Sequence, residues 1–166
     1  MITLRQISNI TGFSVSTVSK ALNDGIDVSL ETKKYIQDIA IQNNYVPNKA
    51  AISLRKNKTN IIAIILPQVN LGIYGEILFI MQKLASNYEY RIMIFQSLSD
   101  ECREQKCLKE INDGSVDGVI VISSKENKKN YQPTIPVSYL KVVDDNLDDL
   151  KKQCINNFNQ LLNKIA

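Results

Sequence analysis

A run of small hydroxyl residues that ends in a lysine stands near the N-terminus, in the segment Ser14-Val15-Ser16-Thr17-Val18-Ser19-Lys20. Serine and threonine hydroxyls can donate hydrogen bonds to phosphate oxygens without adding bulk, and a lysine ammonium can donate to phosphates or to guanine. If the run begins a helix, the helix N-terminus also favours a bound phosphate. The segment predicts either a helix that reads DNA or a generic surface helix with a serine-rich start, and the segment alone leaves both open.

The composition removes most of the chemistry that enzymes use. The 166 residues contain no histidine, which excludes Ser-His-Asp and Cys-His nucleophile systems and most catalytic zinc sites. The three cysteines, Cys102, Cys107 and Cys154, have neither zinc nor redox spacing, so we interpret them as core or surface residues. The segment Pro67–Gly75 fits neither glycine pattern of phosphate-binding loops. We therefore expect no enzyme, no catalytic or metal site and no cofactor.

Positive charge is concentrated at the start of the chain. Residues 1–60 hold eight Lys/Arg and four Asp/Glu, a net charge of +4, whereas residues 61–166 hold twelve and thirteen, a net charge of −1. A basic segment is weak support for nucleic-acid binding by itself. The first residues lack the pattern of a signal peptide, and the most apolar run, Ile61–Leu66, is too short to cross a bilayer. We expect a cytoplasmic protein without a membrane partner.

Three short helices are predicted for the N-terminal segment. Thr3 and Gln6 have the spacing of a capping box, and Gly12 suits the left-handed position that ends a helix. Ser14 and Ser29 are typical N-caps for the second and third helices. Helical spacing predicts the buried faces, which are Leu4, Ile7 and Ile10 in the first helix, Val18 and Leu22 in the second, and Tyr35, Ile36, Ile39 and Ala40 in the third.

The periodicity changes after residue 60, which predicts a second domain. Pro47 breaks the helical pattern and a polar stretch follows at residues 56–60, so we predict a helical head at 1–46, a hinge helix with linker at 47–60 and an α/β lobe at 61–166. Strands alternate with helices in the lobe, which indicates a parallel sheet covered by helices. The predicted strands are Ile61–Leu66, Arg91–Phe95, Gly118–Ile122 and Val137–Leu140, and the predicted helices are Tyr74–Asn87 and Glu101–Asn112.

Apolar residues recur three or four apart near the end of the chain, at Leu147, Leu150, Cys154, Phe158, Leu161 and Ile165. This spacing predicts a helix with one apolar face. The helix could pack on the lobe as part of its core, or it could contact a partner subunit. It could also cover an edge of the sheet that would otherwise stay open.

Several blocks of the sequence resemble the lac repressor (LacI/GalR) family. In the head they are residues 3–8, 12–23 and 28–32, followed by Asn44-Tyr45-Val46-Pro47-Asn48 and by Ala51, Ser53, Leu54 and Arg55. In the lobe they are residues 61–67, 116–121 and 135–137. The resemblance implies an all-α helix-turn-helix head and an α/β parallel-sheet lobe that is periplasmic-binding-protein-like and incomplete, corresponding to the N-terminal half of the family's fold.

The resemblance implies roles for residues of the head. Val15, Ser16 and Lys20 fall at base-reading positions in the major groove, where Lys20 could donate to guanine and Val15 could contact a thymine methyl group. Phosphate-contacting positions are occupied by Ser14, Thr17, Ser19, Asn23, Ser29 and Thr32. Asp24 and Asp27 depart from this pattern, because they place negative charge near the expected DNA surface and could either weaken binding or point away.

The resemblance also implies a hinge that enters the minor groove. Asn48, Ala51, Leu54 and Arg55 occupy the matching positions, and Leu54 would be the wedge that opens a base step. The alternative is that Leu54 packs within a linker helix. Ile52 departs from the family, whose hinge often carries a polar or basic residue there.

The family's effector site lies between two lobes, and the resemblance implies that the second lobe is absent here. A small-molecule effector could therefore bind only if a second lobe is supplied, with Ile73 and Tyr74 as candidates for contacting it. We expect a sequence-specific regulator, most often a repressor in this family, that binds a near-palindromic double-stranded operator as a homodimer. The alternatives are a protein-interaction module and a truncated fragment without effector-controlled DNA binding.

Overall fold

The computed structural model divides the chain into two compact units, Met1–Ile52 and Ser53–Ala166. The first unit is helical and the second combines a parallel sheet with helices, which confirms the predicted fold class. The division falls inside a helix, α4 (Lys49–Lys56). The residues that the structure describes are 2–23, 25–56, 58–123, 133–142 and 147–166.

The head contains three helices, which are α1 (Leu4–Thr11), α2 (Val15–Leu22) and α3 (Leu30–Gln42). The predicted capping box at α1 is confirmed, because the Thr3 hydroxyl accepts from the Gln6 N–H and the Gln6 side chain accepts from the Thr3 N–H. Gly12 ends α1 with a φ of 76°, a left-handed conformation that glycine adopts without strain.

A small core joins the three head helices. Ile7, Val18, Ala21 and Ile36 are fully buried and form one cluster. The predictions that Ile10 and Tyr35 would be buried are wrong, because their exposed fractions are 49% and 47%.

The physical reason lies in the narrow arc over which short helices touch. Each helix of the head meets its neighbours along a stripe centred on its fully buried residues, and side chains beside that stripe reach solvent. Tyr35 precedes the buried Ile36 by one position, so it points about 100° away around the helix. It contacts Phe13 edge to face, with ring centroids 6.4 Å apart.

Within the described residues, the lobe is built on a four-stranded parallel sheet in the order β2-β1-β3-β4. Its strands are β1 (Ile61–Leu66), β2 (Arg91–Gln96), β3 (Gly118–Ser123) and β4 (Val137–Lys141), so the four predicted strands are confirmed to within a residue at each end. Its helices are α5 (Gly72–Asn87), α6 (Glu101–Glu110) and α7 (Leu147–Ile165).

Both faces of the sheet are covered. Alternate residues of β1 point to opposite faces, so Ile62 and Ile64 belong to the cluster that includes α5 and α7, while Ala63 and Ile65 belong to the cluster that includes Leu108 of α6. A strand that is buried on both sides needs a continuous apolar sequence, which explains the unbroken run that identified β1.

The helix α7 packs on the lobe, which confirms the core-helix interpretation of the C-terminal apolar face. Leu150, Cys154, Phe158 and Leu161 are buried in the same cluster as the sheet, whereas Leu147 is exposed. Burial raises the pKa of the Cys154 thiol to about 11, because the apolar surroundings disfavour the thiolate.

The two edges of the sheet differ. At the β4 edge, Lys164 of α7 donates from Nζ to the Val137 carbonyl at 2.7 Å, and Asn157 donates from Nδ2 to the Tyr139 carbonyl at 2.9 Å. Side chains of α7 therefore cover the β4 edge of the sheet, which is one of the roles that the sequence predicts for this helix. At the other edge, Met93 and Ile94 of β2 are exposed. None of the described helices has the length and apolar character needed to span a membrane.

Candidate nucleic-acid interface

The helix α2 follows α1 after a three-residue turn, and local hydrogen bonds fix where it begins. The Ser14 hydroxyl accepts from the Thr17 N–H at 3.1 Å and lies 2.9 Å from the Thr17 hydroxyl. On the preceding side, Ser8 of α1 donates from its hydroxyl to the Phe13 carbonyl at 2.6 Å. The start of α2 is thus fixed by hydrogen bonds between residues that are close in the sequence, which is why the sequence predicts it.

Opposite faces of α2 have different surroundings. Val18 and Ala21 are fully buried against the other two helices. The base-reading candidates lie on the solvent side, where Val15 is 44% exposed and Ser16 and Lys20 are also exposed. Ser16 and Lys20 are four residues apart, so they share one face of the helix. The structure therefore brings the three candidates to one exposed surface while buried residues fix the helix behind them.

The candidates for phosphate contact include residues at helix ends and one residue whose side chain is buried. Ser29 caps α3 as Ser14 caps α2, accepting from the Thr32 N–H at 3.2 Å and donating to the Thr32 hydroxyl at 2.9 Å. Ser19 differs, because its side chain is buried on the inner side of α2. Asn23 donates from Nδ2 to the Ser19 carbonyl at 2.7 Å and so continues the end of α2.

An ion pair lies beside the base-reading candidates. The Lys20 ammonium is 2.9 Å from Oδ2 of Asp27, and the exposed fractions of the two side chains are 49% and 74%. The hydrogen bond from Lys20, together with its positive charge, holds the pKa of the Asp27 carboxyl below its usual range. The sequence analysis identified Asp27 as a departure from the family's pattern. Helical spacing could not reveal that Lys20 is its partner, because the chain turns between the two residues.

The hinge candidates occupy α4 and the residue before it. The Asn48 side chain accepts from the N–H groups of Ala50 and Ala51 at 3.0 and 3.3 Å, so it caps the first turn of α4. Ala51 is exposed. The side chains of Leu54 and Arg55 lie outside the described part of the chain, so the choice between wedge and packing for Leu54 stays open.

A carboxylate of the lobe anchors the chain just after α4, and sequence reasoning missed it. Asp117 accepts from the N–H and hydroxyl of Thr59 at 2.7 and 2.9 Å and from the N–H of Asn60 at 2.9 Å. Nearby, the Lys58 ammonium lies 5.3 Å from the ring centroid of Tyr90. Asp117 is 58 residues from Thr59 along the chain, so no local pattern signals this contact.

The remaining candidates concern small ligands. Tyr74 is buried in the core of the lobe, and Ile73 is partly buried against it. Both side chains are therefore engaged in packing in this structure. Across the described residues, no group of three or more histidine, cysteine or acidic side chains could hold a metal ion.

Comparisons with known proteins identify relatives of the head and of most of the chain. Residues 3–48 match the family model described as bacterial regulatory proteins, lacI family. The HTH-type transcriptional regulator RegA of Clostridium saccharobutylicum is 34% identical over 121 residues, which cover 73% of this chain and 36% of the relative. Catabolite control protein B of Bacillus subtilis is 30% identical over 74% of this chain and 40% of its own length. The chain thus spans about two fifths of the length of these relatives.

Solved structures support the fold. The lac repressor dimer bound to operator and an anti-inducer superposes with a TM-score of 0.75, covering 87% of this chain and 46% of that chain at 19% identity. A lacI-family transcriptional regulator from Silicibacter pomeroyi gives a TM-score of 0.68 over 99% of this chain and 62% of that chain, at 22% identity. The helical head and the parallel lobe are therefore a known combination.

Proposed function

Because residues 3–48 match the lacI family of bacterial regulatory proteins and RegA is 34% identical over most of the chain, we propose that the chain is a lacI-family, sequence-specific transcriptional regulator, acting as a repressor, that binds a near-palindromic operator as a dimer. The observation that carries the proposal is the exposed face of α2, which presents Val15, Ser16 and Lys20. The opposite face of this helix is buried, and a side-chain cap fixes its N-terminus. Such a face fits a helix whose N-terminal side chains must reach base edges in the major groove.

The proposed base contacts follow from the side-chain chemistry. Lys20 donates to guanine O6 or N7, Ser16 exchanges hydrogen bonds with either base of a pair, and Val15 contacts a thymine methyl group. An α-helix with its side chains is about 10–12 Å across, which fits the width of the major groove, and the eight residues of α2 span about 12 Å along the helix axis. Only the first turns of α2 then need to lie deep in the groove.

The proposed phosphate contacts orient the head on the duplex. Ser14 and Ser29 stand at the N-termini of α2 and α3, where helix N–H groups and hydroxyls together favour a phosphate oxygen. Thr17 and Thr32 lie in the first turns of these helices, and Asn23 lies at the C-terminal end of α2. Ser19 is included through the family resemblance, although its burial leaves it less able to touch DNA than the others.

We further propose that α4 enters the minor groove at the centre of the operator. Asn48, Ala51, Leu54 and Arg55 would contact the groove, with Leu54 inserted between two base pairs. Each head reads one half-site, so the two hinges of a dimer meet at the centre of the site.

A dimer needs a surface on the lobe, and the β2 edge of the sheet offers one. Met93 and Ile94 are exposed on this edge strand, and exposed apolar edge strands favour association. The structure of the lac repressor, a relative in fold, is a dimer bound to operator. Effector control through Ile73 and Tyr74 would require a second lobe. The proposal has no catalytic step, and it places the protein in the cytoplasm with the chromosome.

The test is selection of a binding site from a randomised duplex library, followed by fluorescence anisotropy with the selected site at two salt concentrations. We expect a two-fold-symmetric site whose affinity falls steeply as salt is raised. Lys20→Ala should weaken binding to that site by about tenfold or more, and Leu54→Ala should also weaken it. Lys106→Ala, which removes one exposed charge from the lobe, is the matched control and should leave binding unchanged.

Three outcomes would contradict parts of the proposal. Binding that is weak, independent of sequence and sensitive to salt would leave a folded head that does not dimerise. Absence of any DNA binding would favour a protein-interaction module. Equal losses for Lys20→Ala and Lys106→Ala would show that only bulk charge matters, which would remove Lys20 from the base-reading set.

A further inference from the structure

The ion pair between Lys20 and Asp27 depends on a turn that folds back against α2. The Gly25 N–H donates to the Lys20 carbonyl at 2.8 Å, and the Asn23 N–H donates to the same carbonyl at 3.2 Å. A Cβ atom on Gly25 would lie only 2.9 Å from Cβ of Lys20, so the close approach requires glycine. The turn therefore returns the chain to Lys20 and places Asp27 beside its ammonium.

Stability does not explain this pair. Both side chains are exposed, and exposed ion pairs contribute little to folding because water screens the charges. A carboxylate beside a DNA-reading surface also repels phosphates, which weakens binding to any duplex. A residue that adds little stability and opposes the general attraction to DNA calls for another explanation.

We propose that Asp27 is a specificity-determining residue, which holds Lys20 for a base edge and prevents it from binding phosphates indiscriminately. This inference rests on the proposed function, since it assumes that α2 reads DNA. It is carried by the 2.9 Å contact and by the glycine turn that makes this contact possible.

The ammonium group can satisfy both partners on the correct site. It has three donors, so one can remain on Asp27 while the others reach acceptors on guanine. On other sequences the base contact is missing, and a Lys20 that turns to a phosphate must leave Asp27 facing the negatively charged backbone. The carboxylate therefore weakens binding to random DNA more than binding to the operator.

The experiment compares wild-type protein with Asp27→Asn on the selected operator and on a random duplex of the same length. Asparagine keeps the shape of the side chain and removes its charge. We expect Asp27→Asn to bind the random duplex several-fold more tightly and to bind the operator nearly as before. On the random duplex, the slope of log affinity against log salt concentration should become steeper by up to about one released counterion. The ratio of the two affinities, which measures specificity, should fall several-fold.

Two controls separate this effect from a general change of charge. Asp38→Asn removes one exposed carboxylate from the same head and should change both affinities alike. In a Lys20→Ala background, Asp27→Asn should no longer change the affinity ratio, because the group that it directs is gone. Circular dichroism of each variant verifies that the head remains folded.

The outcomes distinguish the inference from the function on which it rests. If wild-type protein prefers no sequence, the proposed function and the inference fail together. If wild-type protein selects an operator but Asp27→Asn keeps the same affinity ratio, the function stands and the role of Asp27 is overturned. The same change of ratio in Asp38→Asn, or in the Lys20→Ala background, would also overturn it.

Discussion

The head and the lobe are each stabilised by different kinds of interaction. In the described part of the head, four buried residues form the core cluster, and the helices begin at hydrogen-bonded caps such as Ser14 and Ser29. The described residues of the lobe form two clusters of fifteen and seven buried residues, which come from elements far apart in the chain. A small core leaves the candidate DNA-binding surface dependent on local hydrogen bonds, whereas the lobe depends on packing between distant segments.

The largest expected effect tests the packing of the lobe. Phe158→Ala should lower the free energy of unfolding of the lobe by about 3–5 kcal/mol, because it leaves a cavity beside the sheet. The measurement is denaturant unfolding followed by circular dichroism. The exposed neighbour Asn159→Ala is the matched control and should unfold like wild-type protein. A loss below about 1 kcal/mol would mean that the core depends less on α7 than the contacts indicate.

A smaller effect tests the anchor that joins the linker to the lobe. Asp117→Ala should destabilise the lobe by about 2 kcal/mol, because three donors of Thr59 and Asn60 lose a charged acceptor. The amide protons of Thr59 and Asn60 should then exchange faster with solvent. Asp117→Asn retains one acceptor oxygen and should show an intermediate rate. Unchanged exchange in Asp117→Ala would show that the carboxylate does not hold the segment.

The helix caps allow the two units to be compared directly. Ser14→Ala in the head and Asp100→Ala at the start of α6 each remove a side-chain acceptor from a helix N-terminus, at a cost of about 1 kcal/mol. Because the head has the smaller core, the same loss should lower its melting temperature further. Thermal unfolding of both variants provides the measurement. A larger shift for Asp100→Ala would reverse the comparison.

The smallest expected effect concerns the covered edge of the sheet. Lys164→Met keeps an unbranched side chain only one atom shorter but removes the donor to the Val137 carbonyl, and it should cost about 0.5 kcal/mol because water can replace the lost donor. Lys151→Met, an exposed change on the same helix, is the control. Denaturant titrations that separate the two variants would support the role of Lys164, and identical curves would remove it.

Features set by neighbouring residues could be predicted from the sequence, and features set by tertiary contacts could not. The caps at Thr3, Ser14 and Ser29 and the buried strand β1 depend on residue type and short spacing, so their prediction succeeded. The orientation of Tyr35 depends on where neighbouring helices lie, and its predicted burial was wrong.

The candidate site shows the same division. The resemblance placed Val15, Ser16 and Lys20 on one helix, and the structure exposes all three, but their contacts with bases stay predictions. The partner of Lys20 could not be found from periodicity, because Gly25 reverses the chain before Asp27. The position of a charged group beside a DNA-reading helix is therefore decided by turns that helical patterns do not encode.

The unequal edges of the sheet limit how many copies can join through it. Among the described strands, the carbonyls of Val137 and Tyr139 on β4 are bonded to α7, whereas β2 lies at the other edge of the sheet with Met93 and Ile94 exposed. A sheet with a single free edge can pair with only one other sheet edge. Two molecules that meet β2 to β2 about a two-fold axis would saturate each other, and growth into a fibre would need a second free edge.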